Sequence, residues 1–182
     1  MSQRQSGYER KALDFYATPA WVTEALVGHV VARPGSIWEP ACGDGQMVNV
    51  LKEQFVVLAT DINNTGLDFL AVKELPNCGI RGIITNPPYD KAEEFCAHAL
   101  DLTKAVGGYV AMLLRCDFDH AKSRSYLFRD HHAWSKKLVL TKRIVWFVEE
   151  DTGKPKASPS FNHAWYIWDW KHGGPPTIGY AP

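Results

Sequence analysis

Residues 36–45 read S-I-W-E-P-A-C-G-D-G, and they decide the class of fold. Ser36 to Glu39 has the character of a short buried strand, and Cys42-Gly43-Asp44-Gly45 is a turn carrying two glycines. Glycine at 43 and 45 lets the backbone bend tightly and approach a ligand closely. A helix follows from Gln46 to Glu53, and F-V-V-L-A-T at 55–60 makes a second buried strand that ends at Asp61. A strand, a glycine turn, a helix and another apolar strand are the repeating parts of an α/β sheet.

The alternation continues outward in both directions. Leu67 to Leu70 reads as a short strand, and Arg81 to Thr85 is a strand running straight into Asn86-Pro87-Pro88-Tyr89. Asp90 with Glu93 forms a variant capping box for a helix whose apolar face is Ala92, Phe95, Cys96, Ala99 and Leu102. Gly107-Gly108 breaks that helix, Y-V-A-M-L-L at 109–114 is a buried strand, and a polar helix is expected around 119–129. Lys137 to Val148 and His163 to Trp170 are the last two strands, with an exposed loop over 149–162 between them. No helix separates these two, so the final one is expected to be antiparallel. Upstream, Thr18 as N-cap and Pro19 at the first helical position open a helix. Trp21, Val22, Ala25, Leu26 and Val30 share one of its faces, and Arg33-Pro34-Gly35 ends it. Residues 1–17 read as an arm or lid, and 18–182 as a single domain. The expectation is a mostly parallel seven-stranded sheet, the last strand antiparallel, with helices on both faces.

A chain of 182 residues with 46% hydrophobic residues fits one soluble domain. No stretch has the apolar length of a membrane span, and the polar start M-S-Q-R-Q-S-G-Y-E-R-K is unlike a secretory signal, so a cytoplasmic location is expected. Cys42, Cys78, Cys96 and Cys116 are scattered, which points to reduced thiols rather than a zinc site or a disulfide framework. Net charge is zero but unevenly placed: residues 1–114 carry 9 Lys/Arg against 13 Asp/Glu, and residues 115–182 carry 11 against 7. One half could meet phosphate while the other serves a cationic small molecule; a solvated mixed surface has the same composition.

Two clusters carry the chemistry, each at the C-terminal end of an expected strand, where open α/β sheets bind ligands. The first is Glu39-Pro40-Ala41-Cys42-Gly43-Asp44-Gly45. A dinucleotide fingerprint would need a third glycine where Val48 stands. Carboxylates at the strand end and inside the turn would repel a pyrophosphate. They suit a ligand bearing positive charge, such as the sulfonium and amino groups of S-adenosylmethionine. Asp61, closing the next strand, can accept hydrogen bonds from ribose hydroxyls. The second cluster is Asn86-Pro87-Pro88-Tyr89. The Asn86 amide oxygen and the Pro87 carbonyl are both acceptors, suited to the two hydrogens of an amino group. Prolines make the turn rigid, and Tyr89 offers a flat face to a planar substrate.

These motifs resemble the amino methyltransferases of the class I S-adenosylmethionine-dependent fold that carry N-P-P-Y. Phe15-Tyr16-Ala17-Thr18-Pro19 resembles the F-Y-x-T-P segment of adenine-specific DNA methyltransferases, and Asp68-Phe69-Leu70 resembles their D-F-L segment. The stretches L-L-R (113–115), L-F-R (127–129) and K-A-S-P-S-F-N-H-A-W-Y-I-W-D-W are similar to small phage and prophage methyltransferase-like proteins. The resemblance implies a Rossmann-like methyltransferase fold, S-adenosyl-L-methionine as cofactor and methylation of adenine N6 in DNA. It assigns Asn86, Pro87, Pro88 and Tyr89 to catalysis. It assigns the cofactor to Phe15, Tyr16, Thr18, Pro19, Glu39, Pro40, Ala41, Gly43, Asp61, Ile62, Asp68, Phe69 and Asn86. Tyr89, Arg115, Lys154, Lys156 and Phe161 are expected at the nucleic acid, Phe161 packing on an extruded base. Arg115 reads equally as a phosphate ligand or the cap of a carbonyl.

A protein-glutamine or RNA-adenine methyltransferase would use the same kind of turn, and a non-catalytic cofactor-binding protein would keep only the first cluster. Trp165, Trp168 and Trp170 read as sheet packing, and His131-His132 lacks partners at metal-ligand spacing.

Overall fold

The computed structural model describes residues 17–30, 35–76, 79–129, 131–146 and 161–182. The arm up to Tyr16, with Phe15, and the loop bearing Lys154 and Lys156 lie outside the described residues, as does Cys78.

Seven strands form one sheet: β1 (Ser36–Glu39), β2 (Val56–Ala59), β3 (Ile80–Thr85), β4 (Tyr109–Arg115), β5 (Trp134–Leu140), β6 (His163–Asp169) and β7 (Thr177–Ala181). Their spatial order is β2-β1-β3-β4-β6-β5-β7. The pairs from β2 through β4 are parallel, β6 runs antiparallel to both β4 and β5, and β7 is parallel to β5. Helices α1 (Ala20–Val27), α2 (Gln46–Leu51), α3 (Ala92–Lys104) and the short α4 (Ser125–Phe128) accompany it.

Side chains alternate across the sheet and build a core on each face. Along β4, Val110, Met112 and Leu114 join Trp38, Phe69, Phe95 and Trp168 on one face. Ala111 and Leu113 join Val22, Leu26, Ile37, Leu51 and Trp165 on the other. Both fully buried tryptophans of β6 tie a helix to the sheet: Trp165 Nε1 donates to the Val22 carbonyl of α1 at 2.8 Å, and Trp168 Nε1 to that of Leu127 in α4 at 2.7 Å. These tryptophans are packing residues.

The fold class is the one expected, with six local corrections. Leu67–Leu70 is not a strand: the Asp68 carboxylate accepts from the Leu70 N–H and curls the chain into a 3-10 turn at Phe69–Ala71. The strand expected at His163–Trp170 is antiparallel, but it is not the last; the chain goes on to β7, which is parallel to its neighbour. The strand expected over Lys137–Val148 starts at Trp134 and ends at Leu140, because the Thr141 N–H and hydroxyl both turn to the Ala181 carbonyl. Helix α1 begins at Ala20 with an extended Pro19 before it, so Thr18 caps nothing. Asp90 and Glu93 form no capping box; Glu93 instead accepts from the Tyr126 hydroxyl at 3.3 Å and lies 4.0 Å from Arg124. The polar helix expected over 119–129 is two 3-10 turns followed by α4, since Arg124 Nε donates back to the Phe118 carbonyl at 2.7 Å.

Among the described residues no helix is long and apolar enough to cross a membrane. No group of three His, Cys, Asp or Glu among them could hold a metal ion.

Candidate active site

The C-terminal ends of β1, β2 and β3 open on a cavity of about 590 Å³. Parallel strands ending together leave their following turns to form the rim. Gly43 and Gly45 stand at φ 51° and 85°, left-handed values that glycine adopts without a Cβ clash, and so the turn after β1 can fold back over the sheet edge.

Glu39 is the last residue of β1 and is 1% exposed. Its Oε1 accepts from the Ala41 N–H at 3.1 Å, while Oε2 is buried without a hydrogen bond. Burial raises its pKa from 4.5 to about 8; the Thr85 hydroxyl and the Ala41 N–H pull the other way, and the Asp61 carboxylate adds a smaller upward push. Thr85 lies beside the carboxyl but outside hydrogen-bond geometry, so its hydroxyl is likewise left unpaired. A buried acceptor without a donor costs about 1–3 kcal/mol, more when charged, which is the mark of a site built for something else to complete.

Asp61, just after β2, holds the rim together. Its Oδ2 accepts from the Gly43 N–H at 3.0 Å and its Oδ1 from the Asn63 N–H at 2.8 Å. Asn64 Nδ2 donates to the Gly43 carbonyl, and the Cys42 N–H to that of Thr60 at 3.0 Å. Each Asp61 oxygen keeps a second lone pair for a ligand.

Asn86 follows β3. Its Nδ2 donates to Thr18 Oγ1 at 3.2 Å, and Thr18 is 5% exposed. That bond directs the amide: the nitrogen is spent on Thr18, and Oδ1 is left buried with no hydrogen bond. Thr18 therefore serves the site by orienting Asn86, a use its lost capping role leaves free. The Pro88 carbonyl accepts from the Lys91 N–H at 3.0 Å and closes the turn. The Tyr89 hydroxyl meets His163 Nε2 at 3.1 Å.

The cavity lining contains Thr18, Glu39, Pro40, Ala41, Gly43, Asp61, Ile62, Asp68, Phe69, Asn86, Pro87, Pro88 and Tyr89, all singled out from the sequence. Pro19 is not in the lining and precedes α1 as its N-cap. Phe15, Tyr16, Lys154 and Lys156 lie outside the described residues. Asp44, the carboxylate inside the glycine turn, lines it as expected; Gln46, Met47, Asn63, Asp90, Lys91 and Phe95 also line the cavity and were not anticipated, each shortly after an expected site residue in sequence. Four carboxylates (Asp44, Asp61, Asp68 and Asp90) against Lys91 make the lining acidic, the polarity that attracts a cationic ligand, and the buried Glu39 carboxyl adds a proton to release.

Beside the cavity, β4 and β6 end with Arg115 opposite His163. The Arg115 guanidinium lies 3.9 Å from the Phe161 ring centroid and pairs with Asp117 at 2.8 Å. It thus stacks on Phe161, another residue expected at the nucleic acid, and caps no carbonyl by any bond found among the described residues. The turn that follows it is pinned from below. Lys137 Nζ reaches Asp119 at 2.7 Å and the Cys116 carbonyl at 2.8 Å, and the Tyr166 hydroxyl meets Asp119 at 3.1 Å. Burial, with the Asp119 carboxylate second, pushes the Tyr166 phenol far up, so it stays a neutral donor. His163 was not anticipated at all.

Comparison with protein-family models and with curated proteins gives no match. Solved structures do resemble the chain. A protein described as a class I S-adenosylmethionine-dependent methyltransferase from Listeria monocytogenes superposes with TM-score 0.54 at 16% identity, over 89% of this chain and 62% of its own. The methyltransferase subunit of a type I restriction-modification system from Streptococcus thermophilus gives 0.58 at 13% identity, over 86% and 45%. A modification subunit described for a type I restriction enzyme from Vibrio vulnificus gives 0.57 at 12% identity, over 92% and 48%. The chain spans less than two thirds of each. Its fold is the Rossmann-like fold of these methyltransferases.

Proposed function

We propose that this chain transfers a methyl group from S-adenosylmethionine to an exocyclic amino nitrogen, and that the acceptor is N6 of adenine in DNA. The observation that carries the reading is the orientation of Asn86. Its amide nitrogen is engaged by Thr18, which leaves the oxygen as a buried, unpaired acceptor at the end of β3.

An aryl amine is a poor nucleophile because its lone pair is delocalised into the ring. Two fixed acceptors, Asn86 Oδ1 and the Pro87 carbonyl, hold its two hydrogens and favour the pyramidal geometry in which the lone pair is available. They need not remove a proton before the nitrogen attacks; the surplus proton leaves afterwards. Acceptors held in place before reaction cost no reorganisation as charge develops on nitrogen, and one such group contributes about 10²–10³ in rate. Tyr89 supplies a ring against which a planar base can lie.

When bound, the cofactor supplies an electrophilic methyl on a sulfonium. The residues present fit it. The unpaired Glu39 Oε2 and the acidic lining favour its positive groups, Asp61 keeps lone pairs toward the ribose, and Ile62, 55% exposed, offers an apolar face to an adenine ring. Phe15 and Tyr16, upstream of Thr18, complete the set by resemblance.

DNA as the substrate is supported by the restriction-modification subunits among the similar structures and by the surplus of Lys and Arg in residues 115–182. Arg115, Phe161, Lys154 and Lys156 would meet it, and the base must leave the duplex for its amino group to reach Asn86. The test is incubation with methyl-labelled cofactor and separate DNA, RNA and protein pools. Label in DNA supports the reading; label confined to RNA, or to glutamine of protein, refutes the substrate, and no transfer to any pool refutes the activity.

A further inference from the structure

Tyr89 enters the proposed reaction for its ring, and nothing in that reading uses its hydroxyl. The hydroxyl nevertheless has a partner deep in the fold. His163 is the first residue of β6, 2% exposed, and its Nε2 stands 3.1 Å from the Tyr89 oxygen. Trp146 packs edge-on against the imidazole at a centroid distance of 5.3 Å, and the Tyr89 ring lies 6.2 Å away at an interplanar angle of 31°. The register that pairs His163 with Arg115 anchors the imidazole in the sheet, whereas Tyr89 sits on the 3-10 turn after Pro88.

We propose that His163 is a positioning residue: it accepts the Tyr89 hydroxyl proton at Nε2 and so holds the ring at a fixed angle beside Asn86. The proposal rests on the methyl-transfer reading for its consequence, though not for the contact itself. A tyrosine ring on a short turn can swing about two side-chain torsions. Tethering its far end to a buried strand residue removes that freedom before a planar acceptor arrives, as a preorganised site requires.

The chemistry of the imidazole agrees. A neutral imidazole has one N–H and one bare nitrogen, and a phenol donor selects the tautomer with Nε2 bare. The proton then sits on Nδ1, which is buried near the Phe161 backbone but outside hydrogen-bond geometry. Burial, and after it the Arg115 charge, lowers the pKa of His163 to about 4; the Phe161 backbone and the Asp117 carboxylate oppose this. The ring is thus an acceptor throughout the neutral range.

The experiment compares His163→Phe, His163→Gln, Tyr89→Phe and the double variant His163→Phe/Tyr89→Phe. Expected is a fall in kcat of roughly five- to tenfold in either single Phe variant, the worth of about one hydrogen bond. The double variant should be no slower than the slower single, and His163→Gln, whose amide can still meet the hydroxyl, should recover most of the rate. Cofactor affinity by calorimetry should stay within about twofold, because no cofactor contact is involved. Effects that multiply in the double variant, or a Tyr89→Phe enzyme as fast as wild type beside a slow His163→Phe, would overturn the proposal. A readout independent of turnover is the ¹⁵N resonance of His163 Nε2, which should show a bare, hydrogen-bonded nitrogen at pH 7 and move in Tyr89→Phe. An unmoved resonance overturns the contact. Should the wild-type chain transfer no methyl group, the functional reading falls and this resonance alone decides for or against His163.

Discussion

Replacing Glu39 by Gln keeps the shape of the side chain and its bond from the Ala41 N–H, but removes the ionisable group. In the ligand-free chain burial holds that carboxyl neutral up to about pH 8, against an ordinary 4.5. The unfolded chain releases the proton near 4.5 and the folded chain near 8. Between these values the folded state binds more protons, so the contribution of Glu39 to stability is fully present below pH 4.5 and is lost as pH rises through 8. At about 1.36 kcal/mol per pH unit the interval is worth roughly 5 kcal/mol as a ceiling, and relaxation with water entry into the open cavity reduces it to about 2–3. Urea unfolding of both proteins at pH 5 and pH 8.5, without ligand, checks this. Glu39→Gln should be near neutral at pH 5 and more stable than wild type by about 2 kcal/mol or more at pH 8.5. The same change should weaken S-adenosylmethionine at least tenfold, a gain in stability at a loss of binding. Parallel pH profiles for the two proteins would refute the reasoning, because the unpaired Oε2 would then not be felt.

Binding of S-adenosylmethionine should release a proton at pH 7, since a cationic group beside Glu39 requires the carboxylate; affinity should rise with pH and level off near 8. Calorimetry in buffers of different ionisation enthalpy measures that proton directly. Thr18→Val deprives Asn86 Nδ2 of its acceptor, so kcat should fall about tenfold with little change in melting temperature, as comparison of steady-state kinetics with thermal denaturation will show. Asp119→Asn leaves Lys137 facing a neutral group in a half-buried network, and should lower stability by about 1–2 kcal/mol in urea unfolding.

The parallel half of the sheet and the cavity rim were legible because their signals are local. Strands that are apolar on both faces announce themselves, and Glu39, Asp61 and Asn86 each stand at a strand end next to a turn. The errors arise where side chains compete with the backbone or where partners are distant. Leu67–Leu70 has strand-like residues, yet the short Asp68 side chain bonds to the backbone two residues on and makes a turn instead. β7 escaped because T-I-G-Y-A is half exposed, with a glycine at its centre, and is recruited by the β5 edge rather than by its own pattern. Thr18 reads as a cap, but its hydroxyl answers to Asn86, 68 positions away. His163 sits 74 positions from Tyr89, so no spacing could reveal it.

The central claim is that Asn86 Oδ1 holds an amino group of a base for methylation. Its most direct measurement is nucleoside mass spectrometry of DNA after reaction with methyl-labelled cofactor, for wild type and Asn86→Ala side by side. The account predicts N6-methyladenine from wild type and a rate lower by about 10²–10³ in Asn86→Ala, with cofactor affinity held within a few-fold. Label on a carbon atom of a base, or an Asn86→Ala enzyme that methylates as fast as wild type, would contradict it.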